Sequence, residues 1–252
     1  MLQPFGFTQY ESKVYEALIT VNEALDATTI VKRSGVPRSK VYEVLQRMTD
    51  KGMILESTAD RKRLYYALPV EATIDKLKAD FESNVEDLKN IPQKDVEADD
   101  RVWTLKEDQS ILSMQKELMG NARKSIVISG WADDLEPYIP VLEGKSNEGV
   151  EVEVHSTGAI ETTLSNVSIL IPNSLHEALE RSRILIIDNQ EVMFAGKEHT
   201  DWQAMHTQSK PLVKFFTEFF YHDVALTEIT RKYSDTILKD EGIRELLLKL
   251  RY

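Results

Sequence analysis

The 252-residue chain contains no cysteine, and that absence removes disulfides, thiolate metal sites and cysteine nucleophiles together. Glycine and proline are also scarce, at 10 and 8 residues, which excludes collagen-like and low-complexity architectures. No window approaches the roughly 20 apolar residues of a membrane-spanning helix. The opening MLQPFGFTQYESK has no basic stretch leading into an apolar one, so no secretory signal is expected and the reading is cytoplasmic. The five histidines, at 155, 176, 199, 206 and 222, show no metal-ligand spacing, and none sits in an H-E-x-x-H frame. No Ser-His-Asp order, P-loop or dinucleotide fingerprint occurs either. The expectation is no metal, no cofactor and no enzyme.

With 42% hydrophobic and 29% charged residues the composition is that of a globular protein, and at roughly 100–200 residues per domain the length favours two domains or one with an appendage. The net charge of −11 argues against nucleic acid, because phosphate binding depends on Lys and Arg. Its distribution reverses that impression. Residues 1–68 carry 10 Lys/Arg against 8 Asp/Glu, and within 29–68 the balance is 9 to 4. A cationic end on an acidic body suits a small nucleic-acid-binding head joined to a domain with another task.

Thr8-Gln9-Tyr10-Glu11 is a capping box that starts a helix, and Tyr10, Val14, Ala17, Leu18 and Val21 follow at helical spacing. A short second helix over 27–33 stops at Ser34-Gly35, where glycine suits a left-handed cap. Pro37 opens a third helix as its first residue, running through Val41, Val44, Leu45 and Met48 to Lys51-Gly52. Two strands, 53–56 and 64–68, then flank a polar loop holding Arg61, Lys62 and Arg63. Three helices and a basic-tipped hairpin make a winged helix-turn-helix over 1–68.

Val70, Ile74, Leu77, Phe81, Leu88 and Ile91 fall on steps of 4, 3, 4, 7 and 3, with Asn84 at the skipped seam position. This coiled-coil-like helix, 69–92, would pair with its twin in a homodimer; the alternative is packing on its own C-terminal domain. Residues 93–100 read as an acidic linker. Strands expected at 102–105, 125–129, 150–155, 167–171, 183–187 and 191–195, with helices at 107–121, 133–142, 211–232 and 241–251, make a mixed α/β domain over 101–252.

In a helix-turn-helix the start of the second helix reaches base edges. Here it offers Arg38, Ser39, Lys40, Tyr42, Glu43 and Gln46. Arg38 and Gln46 suit guanine and adenine, with Tyr42 partly a packing residue. Lys32, Lys40, Arg47, Arg61, Lys62 and Arg63 suit phosphate or the minor groove. The expected partner is double-stranded DNA, at a palindromic operator if the chain is dimeric.

The residues Phe7-Thr8-Gln9-Tyr10-Glu11-Ser12-Lys13-Val14-Tyr15, Ser34 through Leu45, and Lys51-Gly52-Met53-Ile54 resemble the TrmB-like transcriptional regulators. That resemblance implies a winged-helix head, a dimerising helix and an effector-sensing domain related to the phospholipase D fold, a mixed α+β class overall. Some members carry a further sugar-binding domain, for which this chain is expected to lack room, so their sugar ligands are not carried over.

Phospholipase D enzymes use His-x-Lys-x-x-x-x-Asp. The matching frame here is Arg181-Ser182-Arg183-Ile184-Leu185-Ile186-Ile187-Asp188, with arginine where the nucleophilic histidine would stand. A guanidinium stays protonated and cannot attack phosphorus. What remains is a cationic pair able to hold a sugar or anionic effector beside Trp131, or a pair of structural ion pairs, Arg183 with Asp188 or Arg181 with a glutamate. Trp202 would line such a cleft or fill the core. The competing reading is a phospholipase D-type phosphodiesterase or nuclease delivered to DNA by the winged helix.

Overall fold

A computed structural model describes residues 1–59, 62–92, 99–171, 181–237 and 239–249. The chain divides into two compact units, Met1–Lys94 and Asp95–Tyr252.

The first unit begins with α1 (Gln9–Val21), α2 (Ala27–Ser34) and α3 (Arg38–Asp50). The expected capping box is present: the Glu11 amide donates to Thr8 Oγ1 at 3.3 Å, and the Thr8 amide donates to Glu11 Oε2 at 2.7 Å. Asp26 caps α2 by accepting the Thr29 amide at 2.8 Å, and Gly35 ends that helix at φ 67°, a conformation glycine adopts without steric cost. Pro37 stands one position earlier than expected, as the N-cap of α3 in extended geometry. Val14, Leu18, Ile30, Val41, Leu45, Met48 and Met53 are buried together. Each such side chain contributes roughly 1.5–3 kcal/mol.

The wing departs from expectation. Strands β2 (Ile54–Ala59) and β3 (Lys62–Ala67) pair antiparallel through Ala59↔Lys62. Lys62 and Arg63 therefore belong to a strand rather than to a polar loop, because cross-strand hydrogen bonding continues to the hairpin's tip. Arg61 lies outside the described residues. A two-residue strand, Leu25–Asp26, adds to the far side of β3, too short to leave a pattern in the sequence. It precedes α2 and is counted as β1. Helix α4 (Val70–Lys89) leaves the hairpin, held to α1 where the Tyr15 hydroxyl lies 3.0 Å from the Leu68 carbonyl and 2.8 Å from the Thr73 hydroxyl.

The second unit is a seven-stranded mixed sheet between two helical layers. Its strands are β4 (Trp103–Lys106), β5 (Ser125–Trp131), β6 (Glu151–Thr157), β7 (Val167–Leu170), β8 (Ser182–Ile187), β9 (Glu191–Glu198) and β10 (Asp201–Thr207). Their spatial order is β4-β10-β9-β8-β5-β6-β7, with β5-β6-β7 parallel and the other pairs antiparallel. Alternation along the strands sorts the core. Ile126, Ile128, Leu185, Ile187, Met193 and Ala195 join residues of α5 (Asp108–Asn121) and α7 (Ile139–Asn147). Val127, Ile184, Ile186 and Val192 join Val213 and Phe220 of α8 (Lys210–Ile237).

The single helix expected at 133–142 is broken. A four-residue α6 (Ala132–Leu135) passes into a 3-10 turn at Glu136–Tyr138 before α7, consistent with Pro137 and Pro140 each withholding an amide. The chain's last described helix is α9 (Glu241–Lys249). Among the described residues no helix is long and apolar enough to cross a membrane, and no group of three or more His, Asp or Glu side chains could hold a metal ion.

Candidate nucleic-acid interface and effector site

The tight turn at Gly35 sets α3 against α2, and burial of Val41, Val44, Leu45 and Met48 turns the opposite face of α3 outward. Arg38, Tyr42 and Gln46 fall at i, i+4 and i+8 along one exposed ridge. Tyr42 is 58% exposed, so more of its ring faces solvent than packs. Arg38 makes no ion pair among the described residues, and Gln46 donates to Asp50 Oδ1 at 2.8 Å.

The neighbouring ridge is more occupied. Lys40 lies 3.5 Å from Glu43, while Arg47 lies 3.5 Å from both Glu43 and the buried Glu11. A phosphate drawn to Lys40 or Arg47 competes with these carboxylates. Ser39 and Lys32 are exposed, and Arg63 lies 3.4 Å from Glu56 across the hairpin. The structure thus brings the helix residues together on one face and sets Lys62 and Arg63 apart on β3.

The apolar stripe of α4 is largely uncovered. Val70, Ile74, Phe81 and Leu88 are 39–69% exposed, and Asn84 is exposed among them; Ile91, expected on the same helix, lies beyond its end at Lys89. Leu77 differs, since it packs against the core of its own winged-helix unit.

In the second unit the two arginines have separate surroundings. Arg181 Nη1 donates to Asp133 at 2.7 Å and Asp134 at 3.1 Å, with its guanidinium 5.2 Å from the Trp131 ring. The hydrogen bond to Asp133 is the largest influence on Arg181 and raises its pKa further above the usual guanidinium value. Asp133 borders a cavity of about 340 Å³ lined also by Glu136, Ile139 and Ile160. Arg181 thus pairs with two aspartates rather than a glutamate.

Arg183 lies on the α5 side of the sheet, only 3% exposed. Its Nη2 donates to Asp108 Oδ1 at 2.8 Å and its Nη1 to the Tyr138 hydroxyl at 3.0 Å. Its guanidinium carbon lies 3.9 Å from the centre of the Trp202 ring. Tyr138 in turn donates to Gln115 Oε1, and burial pushes the Tyr138 phenol up to about 12. Two buried donors, Arg183 Nε and Gln115 Nε2, have no partner among the described residues. A buried cation costs several kcal/mol unless paired, and here Asp108 and the face of Trp202 supply the compensation.

The expected Arg183–Asp188 pair does not form. Asp188, in the left-handed region at φ 53°, accepts the amides of Arg123, Lys124 and Ser125 at 3.0, 2.7 and 2.9 Å. It secures the start of β5 instead. Gly130 permits the close approach of Arg183, since a Cβ there would lie 3.2 Å from Leu135 and 3.3 Å from Arg183 Cγ.

Two family models match the chain. "Sugar-specific transcriptional regulator TrmB" covers residues 2–71, and "Transcriptional regulator TrmB, EBD N-terminal subdomain" covers residues 101–225. The chain belongs to the TrmB-like transcriptional regulators. It is therefore a DNA-binding transcriptional regulator with a winged helix-turn-helix head.

Among relatives of this TrmB-like chain, the uncharacterized protein YrhO of Bacillus subtilis (strain 168) is 28% identical over 257 residues, covering 100% of this chain and 92% of YrhO. The HTH-type sugar sensing transcriptional regulator TrmBL1 of Pyrococcus furiosus is 28% identical over 231 residues, covering 87% of this chain and 67% of TrmBL1. Among solved structures, TrmBL2, an archaeal chromatin protein, aligns over 88% of this chain and 94% of its own at TM-score 0.41 and 18% identity. NucT from Helicobacter pylori aligns over 48% of this chain and 94% of its own at TM-score 0.38 and 11% identity.

Within this TrmB-like chain, sequence reasoning missed Asp108, Gln115, Tyr138 and Lys197. Asp108 and Gln115 come from α5, Tyr138 from the turn before α7 and Lys197 from β9, so no local spacing links them to Arg183 and Trp202. The isolated arginine inside an otherwise apolar β8 was the available signal, because a lone charge in a buried strand requires partners brought from elsewhere.

Proposed function

We propose that this regulator binds a palindromic operator as a homodimer and that its C-terminal unit is a non-catalytic sensor of a sugar or anionic effector. In this reading residues 1–68 form the DNA-binding domain, 69–92 the dimerisation helix, 93–100 an acidic linker and 101–252 a regulatory domain of phospholipase D-like fold. Of the linker, residues 93–98 lie outside the described residues. Arg38, Ser39 and Gln46 read bases, with Tyr42 beside them. Lys32, Lys40, Arg47, Arg61, Lys62 and Arg63 hold phosphates.

The observation that carries this reading is the exposed stripe of α4, Val70, Ile74, Phe81 and Leu88, with polar Asn84 on its seam. A three-heptad apolar row with one polar member is the pattern by which parallel helices pair in fixed register. Two heads so joined meet two half-sites related by the same two-fold axis, which makes the operator palindromic. The sensing half is supported by Arg181, which stands by Trp131, and Arg183, whose carboxylate partners Asp133 and Asp108 each line a cavity. Gel-shift titration of promoter DNA with the full chain, with and without sugars and sugar phosphates, tests both parts. A ligand-dependent change in affinity is expected, and DNA affinity indifferent to the whole panel would remove the sensing role.

A further inference from the structure

The cavity beside Arg183 encloses about 620 Å³ and is lined by Lys106, Glu107, Asp108, Lys197, Trp202 and neighbours from β9 and β10. Trp202 is one of its lining residues, and the ring of Trp202 lies 3.9 Å from the Arg183 guanidinium, which stands behind the lining, and 5.3 Å from the Lys197 ammonium. Arginine Nε and Nη2 share one edge of the guanidinium plane, the edge that takes two oxygens of a carboxylate or phosphate at once. Here that edge is half used. Asp108 gives one oxygen to Nη2, while Nε, buried with the rest of the side chain, has no partner among the described residues.

Asp108 is the exposed partner in its ion pair with Arg183. It is 58% exposed at the first residue of α5, whereas Arg183 is 3% exposed. Releasing Asp108 removes the charge that pairs the buried Arg183, so it is displaced only by an oxyanion that takes its place, and one with two free oxygens would satisfy both donors where Asp108 satisfies one. The site also lies at the N-terminus of a 14-residue helix, where the peptide dipoles favour negative charge. Glu107 and Asp201 carry negative charge on the same cavity wall, and Glu107 already caps the Gln109 and Ser110 amides, so an incoming anion must gain more from Arg183, Lys106 and Lys197 than it loses to these carboxylates.

Building on the sensor reading above, we propose that this cavity binds a phosphorylated sugar, whose phosphate takes Nε and Nη2 of Arg183 and displaces Asp108. A phosphate dianion meets Arg183, Lys197 and Lys106 together, a charge balance that a neutral sugar does not use. Thr200 and Asp201, also on the cavity wall, offer a hydroxyl and a carboxylate to sugar hydroxyls. Asp108 is then an internal stand-in for the ligand, and its release from the first turn of α5 is the first structural consequence of binding.

Isothermal titration of the full chain with hexose 6-phosphates, the matching hexoses and inorganic phosphate tests this. The hexose 6-phosphates should bind more tightly than either fragment, and Lys197→Met should weaken them. Arg183→Ala risks the fold, so the deciding variant is Asp108→Asn. Removal of the competing carboxylate should tighten binding roughly tenfold, in the range of ordinary coupling between sites. A structural or ligand-contacting role for Asp108 predicts the opposite sign, so weaker or unchanged binding by Asp108→Asn would overturn displacement. Hexoses binding as tightly as their phosphates would overturn the phosphate class while leaving the sensor reading intact. Silence of the whole panel in titration sinks this proposal. The sensor reading falls with it only if DNA affinity is also indifferent to every ligand.

Discussion

Lys51 donates to Glu11 at 2.9 Å, joining the capping box of α1 to the residue that ends α3, 40 positions away in the chain. The Glu11 side chain is 1% exposed. Burial alone would raise its pKa, but the hydrogen bond from the Thr8 amide and the contacts with Lys51 outweigh it and hold the carboxyl below its usual value of 4.5. A carboxylate depressed in the folded state stabilises above its unfolded pKa, and that contribution is lost as pH falls through the folded value. Glu11→Gln is therefore expected to cost about 2–3 kcal/mol at pH 7. The deficit should shrink below about pH 4.5. Urea denaturation at pH 7 and pH 3.5 checks this, and an equal deficit at both would assign the loss to packing.

On the recognition helix, Arg38→Ala should reduce the ratio of operator to scrambled-DNA affinity, each lost base contact being worth roughly 1–3 kcal/mol. Lys62→Ala on the wing should weaken both duplexes alike and lower the salt slope by about 0.9. A salt series on the two DNAs separates the effects. If Arg38→Ala left the ratio untouched, α3 would not be reading bases.

The stripe of α4 requires a choice of positions. Leu77 packs against its own unit, so replacing it confounds folding with assembly. Phe81 and Leu88 are 69% and 66% exposed. The double variant Phe81→Asp, Leu88→Asp should yield a folded monomer by light scattering, with thermal unfolding of the head unchanged. A persistent dimer would move the interface away from this helix.

The head was legible in the sequence because its signals are local. The Thr8–Glu11 box, Gly35 and the apolar spacing of α1 and α3 each act within a turn or two of chain. The wing was legible only in outline, since its strand ends are set by pairing between Ala59 and Lys62. In the second unit the continuous apolar runs 184–187 and 192–195 marked buried strands, but their order in the sheet is non-local. The surroundings of Arg183 were the least legible part. Asp108, Tyr138 and Trp202 meet it across separations of 75, 45 and 19 residues, and only the fold brings them together.

His155 gives the second unit its own pH response. Its Nε2 lies 2.9 Å from the Thr227 hydroxyl on α8, and burial lowers its pKa from 6.5 to about 4. Between those values the unfolded chain binds a proton that the folded chain does not, so stability falls as pH is lowered through that window. The full span corresponds to about 3 kcal/mol at most. Thermal unfolding from pH 7 to pH 4 should show the loss, and His155→Asn should flatten the profile at a lower starting stability. A variant with the wild-type slope would place the titrating group elsewhere.

The last prediction is that the chain hydrolyses no phosphodiester. In the frame running from Arg181 to Asp188, the position that would supply a nucleophile is a guanidinium, and a protonated guanidinium has no lone pair to offer phosphorus. Asp133 and Asp134 bind Arg181 directly, and the hydrogen bond to Asp133 moves its pKa further from neutrality. Asp188 is committed to three backbone amides at the start of β5, so it is not free to orient a catalytic group. Incubation with bis(4-nitrophenyl) phosphate and with single- and double-stranded DNA should give no product above buffer. Turnover by the wild type that disappears in Arg181→Ala would require a catalytic role for this position and restore the enzyme reading. Turnover that survives Arg181→Ala would point to a contaminating hydrolase, which a second purification step should then remove.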